Sequence, residues 1–332
     1  MKATKHILTA VIIVLGLALA AILIVPLVKL SRPVQVKVLV EPSVSSVPIY
    51  YAQEKGIFTN KEVKVEATLQ KVEDPGTALA ALVSGEADFA LVPWPDALRW
   101  MSEHDDTLRC FFAVEFKVAT PQEGLFPRKG LRFDKISDLE GKTVGVSART
   151  KTAMQAIVTS AEVDPATVTI KVYPSEKLLA ALESGEVDLI LPLEPYFTLA
   201  KVHLSEPFAE GAMFPKWINS PYLGSGLFVT PEYFHENELA VKRMNKAMEL
   251  TYLEMAKNQD TTRAVLARAL EIEDEQLIER LNLPGFQRTH EIDQNAIAIQ
   301  ELADKLEIYG AIPKGLNTMD MKVAISKEEL RD

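Results

Sequence analysis

The sequence has a single cysteine among its 332 residues, so it can form no intramolecular disulfide bond. A zinc site built from several thiolates is excluded for the same reason. Cys110 lies in the apolar run CFFAVEF, which predicts a small, buried, apolar residue. The five histidines have no metal-ligand spacing, and the chain lacks a glycine-rich phosphate loop, a nucleophile elbow and an HExxH helix. We therefore expect no catalytic residue, no metal and no cofactor.

Runs of lysine and arginine are also lacking from the sequence. The net charge is -10, and the acidic residues are spread along the chain. Because nucleic-acid binding needs clustered basic side chains, no nucleic-acid partner is expected. The composition, 48% hydrophobic and 25% charged, is that of a globular protein, and the length is typical of about two domains.

The segment from Ile7 to Val28 contains no charged residue. As a helix rising ~1.5 Å per residue it is long enough to cross a ~30 Å hydrocarbon core. A cleaved signal peptide is the alternative, because Ala18-Leu19-Ala20 resembles a cleavage site. Cleavage there would leave an exposed apolar terminus, which argues for an uncleaved helix. We predict that residues 1–33 form a membrane anchor with one transmembrane helix, and that the rest is extracytoplasmic.

A duplication is the strongest internal pattern. Residues 79–95 read LAALVSGEADFALVPWP and residues 179–195 read LAALESGEVDLILPLEP, with ten of 17 positions identical. Each copy predicts a helix that ends at Gly85 or Gly185, where glycine suits the left-handed position after a helix. An acidic turn and a short apolar strand follow. Two units of one kind are therefore expected.

The flanks of the two copies extend the parallel. A strand at Val36–Val40, a helix with Pro48 in its first turn and a strand at Val63–Thr68 precede the first copy. A strand at Thr143–Val146, a helix over residues 151–161 and a strand at Thr169–Tyr173 precede the second. Alternating strands and helices predict an α/β fold with mostly parallel sheets covered by helices.

Four segments in this order carry a resemblance to a known family: VPIYYAQEKGIFTNKEVKVE, ALAALVSGEADFAL, ISDLEGKTVGV and LAALESGEVDLILPLEP. Together they resemble the substrate-binding proteins of ABC importers. The nearest branch is the SsuA/THI5-like (NMT1) family, which serves nitrate, sulfonates, taurine and thiamine-pyrimidine precursors. The resemblance covers roughly residues 34–235 and does not distinguish among these ligands.

The resemblance implies a periplasmic-binding-protein-like fold, in which two α/β lobes joined by crossover strands enclose a ligand. Lobe one would comprise residues 34–113 and 225–332, and lobe two residues 114–224. The runs Cys110–Val118 and Gly226–Thr230 would be the crossovers. The implied function is capture of a small polar, anionic or planar molecule by a monomer, for delivery to a membrane permease driven by a cytoplasmic ATPase.

Two other functions stay open. The same fold resembles thiamine-pyrimidine synthases and menaquinone-pathway enzymes, but the former carry a cysteine-rich motif that is absent here. A ligand-sensing module would have to act through a membrane partner, because only about six residues precede the apolar segment. We expect a binding protein and not an enzyme.

Ligands of open α/β sheets bind beyond the carboxyl ends of the strands, so the strand-to-helix loops of both lobes are the candidate site. The hydroxyl side chains there either cap helices or bind the ligand. The candidate ligand-binding residues are Ser43, Ser45, Ser46, Tyr50, Gly76, Thr77, Trp94, Pro95, Ser147, Arg149, Thr150, Thr152, Glu194, Tyr196, Trp217 and Tyr222.

The charges of these loops predict more than one ligand chemistry. Arg149 and Lys151 favour an anion, whereas Glu194 suits an amine or ring N–H group, or pairs with Arg149. Trp94 and Tyr196 could stack on a flat ligand. Trp94 and Glu194 occupy matching positions of the duplication and differ completely, which makes them candidate specificity positions.

The remaining aromatic residues leave alternatives open. Trp217 and Tyr222, in the stretch FPKWINSPYLGSG, either line the cleft or pack at the hinge. Tyr50 and Tyr51 are adjacent on a helix and point in different directions, so only one of them can readily face the ligand.

Overall fold

A computed structural model of the chain describes Leu15 and residues 30–204, 207–208 and 213–331. In these parts, no helix combines the length and apolar character that crossing a membrane requires. Of the predicted anchor, residues 1–33, only Leu15 and residues 30–33 are described, so the transmembrane run Ile7–Val28 lies outside the described residues except for Leu15. The membrane anchor therefore stays a prediction.

Strands and helices alternate through most of the described chain. The strands are β1 Val34–Val40, β2 Val65–Lys71, β3 Phe89–Pro93, β4 Arg109–Phe116, β5 Phe126–Pro127, β6 Thr143–Val146, β7 Thr169–Val172, β8 Leu189–Leu191, β9 Tyr222–Val229 and β10 Gly285–Gln287. The α-helices are α1 Val47–Glu54, α2 Pro75–Val83, α3 Trp94–His104, α4 Lys151–Ser160, α5 Leu178–Glu183, α6 Tyr196–His203, α7 Met213–Trp217, α8 Pro231–Glu236, α9 Glu238–Lys257, α10 Gln259–Ala269, α11 Glu275–Arg280, α12 Thr289–Gln294 and α13 Ala296–Ile308.

The strands form two sheets, each the centre of one lobe. The first has the order β10-β4-β9-β3-β1-β2, and the second has the order β5-β8-β6-β7. The three-strand unit β2-β1-β3 is parallel throughout, and so is β7-β6-β8. These two units contain the sequence duplication and its flanks, so the duplication corresponds to a repeated structural unit.

The remaining strand pairs are antiparallel, which makes the first sheet less parallel than the sequence predicts. Strand β9 pairs antiparallel with both β3 and β4, and β10 pairs antiparallel with β4. The chain leaves the first sheet through β4 and returns through β9, so these neighbouring strands must run in opposite directions. The predicted first crossover is shifted slightly, because β4 ends at Phe116 and Val118 is exposed.

Strand β9 begins at Tyr222, four residues earlier than the predicted second crossover. The sequence YLGSG does not look like a strand, because glycine weakens strands. Here the glycines allow aromatic rings to lie directly against the backbone. A Cβ atom at Gly224 would lie 2.5 Å from the ring of Phe116, and one at Gly226 would lie 2.7 Å from the ring of Phe228. The packing of these rings therefore requires glycine at both positions.

An aspartate holds each repeated unit together. The amide of Asp88 donates to the Lys37 carbonyl (3.0 Å), and its carboxylate accepts from the Lys37 amide (2.7 Å). Asp188 makes the same two bonds with Thr143, at 2.8 and 3.0 Å. Each aspartate thus joins the start of the third strand of its unit to the first strand, which explains why the GExD turn occurs in both copies.

The chain after β9 returns to cover the first sheet. Helix α9 packs on α1, β1, β2 and β4, and α10 also packs on α1. Met244, Met248 and Met255 of α9 are buried in this core, as their helical spacing predicts.

Cys110 is fully buried in β4, and burial raises the pKa of its thiol. It is therefore the inert structural residue that its apolar neighbours indicated.

Candidate functional site

The carboxyl ends of β1 and β6, the middle strands of the two repeated units, meet between the lobes. Glu41 follows β1, and Arg149 lies in the turn after β6. Arg149 Nε lies 3.0 Å from Glu41 Oε2, and the side chains are only 5% and 4% exposed. Neither atom has a well-directed hydrogen bond, so the contact is an ion pair. A buried pair of opposite charges therefore links the lobes.

Other groups position this ion pair. Ser225 of β9 donates a hydrogen bond to Glu41 Oε1 at 2.6 Å. Arg149 Nη1 donates to the carbonyl of Pro42 at 3.4 Å, a second contact across the lobes. Ser46 Oγ donates to the backbone carbonyl of Glu41 at 2.7 Å, which fixes the loop that carries the carboxylate. Glu41 is thus held in place by its own loop, by strand β9 and by the second lobe.

Asp96 forms the next interlobe contact. Thr152 Oγ1, at the start of α4, donates to Asp96 Oδ1 at 2.7 Å. One turn further along α3, Arg99 Nη1 donates to Gln155 Oε1 at 3.3 Å. The other carboxylate oxygen, Asp96 Oδ2, is shielded from solvent and has no hydrogen-bond partner in the described chain. Burial raises the pKa of Asp96 to about 7, although the Thr152 hydrogen bond acts in the opposite direction.

A third carboxyl group, Glu123, lies at the hinge after β4. Its Oε1 accepts a hydrogen bond from the Phe214 amide at 3.4 Å, while Oε2 is buried without a hydrogen-bond partner among the residues described. Burial raises the pKa of Glu123 to about 8. Burial raises the pKa of Tyr222, and the nearby charges of Asp96 and Glu123 raise it further. The two acids therefore act on the same tyrosine.

Several buried donors and acceptors at this junction lack partners within the described part of the chain. They include Tyr50 Oη and Trp94 Nε1 as donors, and Asp96 Oδ2 and Glu123 Oε2 as acceptors. Burial and the neighbouring Glu41 charge raise the pKa of Tyr50 to about 12. Unpaired buried polar groups are rare, because each costs about 1–3 kcal/mol. We call the six residues that combine these features the interlobe cluster: Glu41, Tyr50, Trp94, Asp96, Glu123 and Arg149.

Most of the predicted hydroxyl residues serve the local fold. Ser43 Oγ accepts from the Ser45 amide at 3.2 Å, and Thr150 Oγ1 accepts from the Ser147 amide at 3.1 Å. These bonds cap the short turns that lead into α1 and α4. Thr152, by contrast, bonds across the lobes. The buried members of this group lie at the lobe junction: Ser43, Ser45, Ser46, Ser147, Thr150 and Thr152.

Gly76 and Thr77 lie on the surface at the start of α2. The Thr77 amide and hydroxyl both donate to Asp74 Oδ2, at 2.7 and 2.8 Å, so Asp74 caps this helix. Pro95 is buried in the first turn of α3, next to Trp94. Trp94 is fully buried, and its ring packs edge-to-face against Phe228 with centroids 4.8 Å apart.

Glu194 has partners in both lobes, because Thr198 belongs to lobe two and Asn282 to lobe one. Its carboxylate accepts from the Thr198 hydroxyl (2.6 Å), the Thr198 amide (3.1 Å) and the Asn282 amide (3.1 Å). The alternative that Glu194 pairs with Arg149 is therefore wrong, because Arg149 pairs with Glu41 and Glu194 caps α6. Tyr196 is partly exposed. Burial raises its pKa, and the nearby charge of Arg149 acts in the opposite direction.

The hinge aromatics take different positions. Tyr222 is buried in β9 against Phe116 and Phe214, with ring centroids 5.9 and 4.9 Å away. Trp217 is partly exposed, packs on the core, and has Lys216 Nζ 5.3 Å from its ring. Tyr50 is the tyrosine beside Glu41 and Arg149, whereas Tyr51 packs into the core under α9 and α10.

Three acidic residues and Ser225 were not among the predicted site residues, although they form much of the junction. A sequence signal existed for two of them, because Glu41 directly follows a predicted strand and Asp96 lies in the same loop as Trp94. Glu123 and Ser225 gave no such signal, since they lie in or beside the crossovers. No group of three His, Cys, Asp or Glu side chains with the geometry of a metal site occurs in the described residues.

The chain belongs to the NMT1/THI5-like family, whose sequence profile matches residues 43–262. No curated protein sequence matches it significantly.

The fold is similar to that of several solved structures. The alkanesulfonate-binding protein SsuA from Xanthomonas axonopodis pv. citri, bound to MOPS, is 15% identical with a TM-score of 0.69, covering 87% of this chain and 98% of that one. The periplasmic aliphatic sulphonate-binding protein SsuA from Escherichia coli is 14% identical with a TM-score of 0.69, covering 90% and 99%. The periplasmic nitrate-binding protein NrtA from Synechocystis PCC 6803 is 13% identical with a TM-score of 0.67, covering 90% and 87%. The chain therefore has the α/β periplasmic-binding-protein fold.

Proposed function

We propose that this chain is an extracytoplasmic solute-binding protein, tethered by its N-terminal apolar segment, that captures a small molecule between its lobes. It delivers the ligand to a membrane permease driven by a cytoplasmic ATPase. The family and the fold support this function, because the similar solved structures include sulfonate-binding and nitrate-binding proteins. The observation that carries the proposal is the buried Glu41–Arg149 ion pair, contributed by two different lobes.

An ion pair at this position couples ligand binding to lobe closure. When the lobes separate, both charges can return to water, so the pair forms only when the cleft closes. A ligand that contacts both charges favours the closed form through its higher affinity for that form. The permease can then distinguish the closed, loaded protein from the open one. Thr152–Asp96 and Arg99–Gln155 are further contacts made on closure.

The charges of the interlobe cluster favour a ligand with nitrogen groups that are positively charged or donate hydrogen bonds. The cluster contains three carboxyl groups and one base, and that base is already paired with Glu41. Asp96 and Glu123 each direct a buried oxygen toward no partner in the described chain. A buried carboxylate without a partner is unfavourable, and a ligand N–H group would relieve that cost. Lys151, one of the two basic residues from which an anionic ligand was predicted, is exposed.

Aromatic side chains support a ligand with a flat face. Trp94 Nε1 is a buried donor without a partner in the described chain, and Tyr196 is only partly buried beside Arg149. An amino-substituted nitrogen ring combines a planar face and N–H donors with a ring nitrogen that can accept from Trp94 Nε1, whereas an amidine or a guanidine offers the face and the donors alone. We propose this chemical class as the ligand.

A thermal-shift screen of the full-length chain tests the function. The panel contains small amines, amidines, guanidines and aminopyrimidines, with nitrate, taurine and alkanesulfonates as comparators. A ligand present at 100 times its Kd stabilises a protein by ~2.7 kcal/mol. We expect nitrogen-bearing compounds to raise the Tm of the chain and to lose this effect in Glu41→Gln. A panel-wide lack of shifts, or shifts that Glu41→Gln leaves intact, would contradict the proposed site.

One observation also favours a catalytic role. Carboxyl groups whose pKa lies near neutrality, such as Asp96 and Glu123, are typical of general acids and bases. We propose that they bind and do not react, because the cluster lacks a nucleophile beside a base. Mass spectrometry of each stabilising compound after incubation with the chain decides the matter. Recovery of unchanged compound supports a binding protein, whereas a new product indicates an enzyme.

A further inference from the structure

Lobe one has a basic cavity at the point where the chain continues toward the apolar N-terminal segment. The cavity has a volume of about 430 Å³, and Leu30 is among its lining residues. Six lining residues are basic, and two, Glu62 and Glu249, are acidic. The basic residues are Lys64, Lys242, Arg243, Lys246, Lys327 and Arg331. In a chain of net charge -10 this excess of positive charge is exceptional.

Two of these side chains hold the junction with the N-terminal segment in place. Arg243 Nη2 donates to the carbonyl of Leu30 at 2.6 Å, and Nη1 donates to the carbonyl of Arg32 at 2.7 Å. Lys64 Nζ donates to the carbonyl of Leu30 at 3.3 Å. Because Arg243 is only 8% exposed, this clamp belongs to the packed structure of lobe one. The position of the cavity relative to Leu30 is therefore fixed.

The sequence places this junction at the membrane surface if the apolar segment is an anchor. Val28 is the last residue of the uncharged run, and Leu30 follows two positions later. At ~1.5 Å per residue, two helical residues span only about 3 Å, so Leu30 would lie at the level of the lipid headgroups. The clamp would then hold the cavity against the same layer.

We propose that this cavity, which we call the junction cavity, binds the phosphate of an anionic phospholipid. The proposal rests on the proposed membrane anchor and is independent of the solute bound between the lobes. Basic side chains near an anionic membrane surface bind it with a favourable energy that adds up from residue to residue. Lipid binding would orient lobe one on the membrane and hold the interlobe cleft in a constant position relative to the permease.

Not all of the basic groups are equally available. Lys242 forms an ion pair with Glu238 at 2.9 Å and donates to the carbonyl of Arg331. Arg243 is committed to the clamp. Lys246 and Lys327 are exposed at the cavity. These two lysines are therefore the groups to change, because their replacement should leave the fold of lobe one unaffected.

Native mass spectrometry of the full-length chain in detergent tests the proposal. The probes are phosphatidylglycerol and phosphatidylcholine with identical acyl chains. We expect phosphatidylglycerol to bind about tenfold more tightly, and the double variant Lys246→Gln/Lys327→Gln to lose roughly tenfold of that affinity. The matched control is Lys129→Gln/Lys177→Gln, which removes two exposed lysines from lobe two and should change the affinity less than twofold.

Four results would overturn the proposal. Equal binding of the two lipids, or an equal loss in the control variant, would mean that the junction cavity does not select anionic lipid. Displacement of phosphatidylglycerol by millimolar inorganic phosphate would indicate a free-phosphate site. A mature protein that lacks residues 7–28 would remove the anchor on which the proposal rests. The thermal shift by solutes reports separately on the interlobe site and is expected to persist in the double variant.

Discussion

The two copies of the repeated unit share their hydrogen bonds but use the residues after the strand in different ways. Asp88 and Asp188 each bond to the first strand of their unit through both backbone and side chain. After β3, Trp94 and Asp96 each have an unpaired polar atom, and Asp96 also bonds to Thr152 of the other lobe. At the position that matches Trp94, Glu194 has three hydrogen-bond donors around its carboxylate. The first copy thus retains unpaired polar atoms after its strand, whereas Glu194 of the second copy is bonded to its own helix and, through Asn282, to lobe one.

The turn before the third strand and the residues after it are under different structural requirements. The turn that starts the third strand must satisfy backbone groups, and an aspartate does so in the same way in both lobes. The residues beyond the strand make no such contribution to the sheet, so they can diverge without loss of the scaffold. Divergence alone, however, does not identify a ligand-binding residue. Trp94 and Glu194 both diverge, but of the two only Trp94 has a buried polar atom without a partner in the described structure.

Breaking the interlobe ion pair should produce the largest effect. Arg149→Met leaves the Glu41 carboxylate buried and unpaired when the lobes are closed, which costs about 3–5 kcal/mol. We expect the ligand-free variant to open and to show a larger radius of gyration in small-angle X-ray scattering. Lys151→Met, which changes an exposed neighbour, is the control. An unchanged scattering profile for Arg149→Met would show that the pair does not hold the lobes together.

Removing the repeated aspartates should have the next largest effect, and a similar one in both lobes. Asp88→Ala and Asp188→Ala each delete a carboxylate that accepts a backbone hydrogen bond, so each should lower the free energy of unfolding by about 1.5–3 kcal/mol. Denaturant unfolding measures the loss. A large loss in one lobe with none in the other would mean that the two copies are not equivalent structural units.

The pH dependence of stability tests the buried acids. Burial raises the pKa of Asp96 and Glu194 to about 7 and that of Glu123 to about 8. The folded chain therefore binds protons that the unfolded chain, with ordinary carboxyl pKa values, releases between about pH 4 and pH 8. The folded state is therefore most stable at low pH. Its free energy of unfolding falls as the pH rises through this window, by on the order of 1 kcal/mol per carboxyl and pH unit.

We accordingly expect the Tm of the ligand-free chain to rise as the pH falls from 8 to 6, and the rise to be smaller in Asp96→Asn. Glu86→Gln, at an exposed position of the first repeat, should behave like the parent chain. If Asp96→Asn keeps the full pH dependence, Asp96 is already ionised in the folded protein.

The smallest effects concern the matched positions 94 and 194. Trp94→Phe keeps an aromatic ring against Phe228 but removes the unpartnered Nε1 donor, so the affinity for a ligand whose ring nitrogen accepts from that donor should fall about five- to tenfold. Glu194→Gln should lower the Tm and reduce ligand affinity less than Trp94→Phe does, because its carboxylate is bonded to Thr198 and Asn282 and has no free position for a ligand. Calorimetric titration with the best compound of the screen compares the two. Equal losses of affinity would place both residues at the ligand.

The sequence predicted the repeated units well, because their strands are apolar and their turns carry glycine and aspartate. The limits of β6 and the start of α4 agree with the prediction. Strand β9 was predicted to begin too late, because Gly224 is required by the ring of Phe116, which is distant in sequence. Local propensity contains no information about such a contact.

The candidate site was less predictable than the fold. The strand-end rule led to the correct loops, but not to the side chain within each loop that crosses to the other lobe. The partner of Arg149 depends on how the lobes close, so Glu41 could not be chosen over Glu194 from sequence. Glu123 became apparent only because its buried oxygen lacks a partner in the described chain, which is a property of the packed structure.

Calorimetric titration of the full-length chain at pH 8 with an alkylamidine and an alkanesulfonate of the same chain length tests the central claim most directly. At this pH the amidine is cationic and Asp96 is mostly ionised. We predict heat of binding for the amidine and none for the sulfonate, with the amidine signal lost in Glu41→Gln and Asp96→Asn. Binding of the sulfonate alone, weakened by Arg149→Met and unaffected by Glu41→Gln, would contradict it and would make Arg149 the anchor of an anionic ligand.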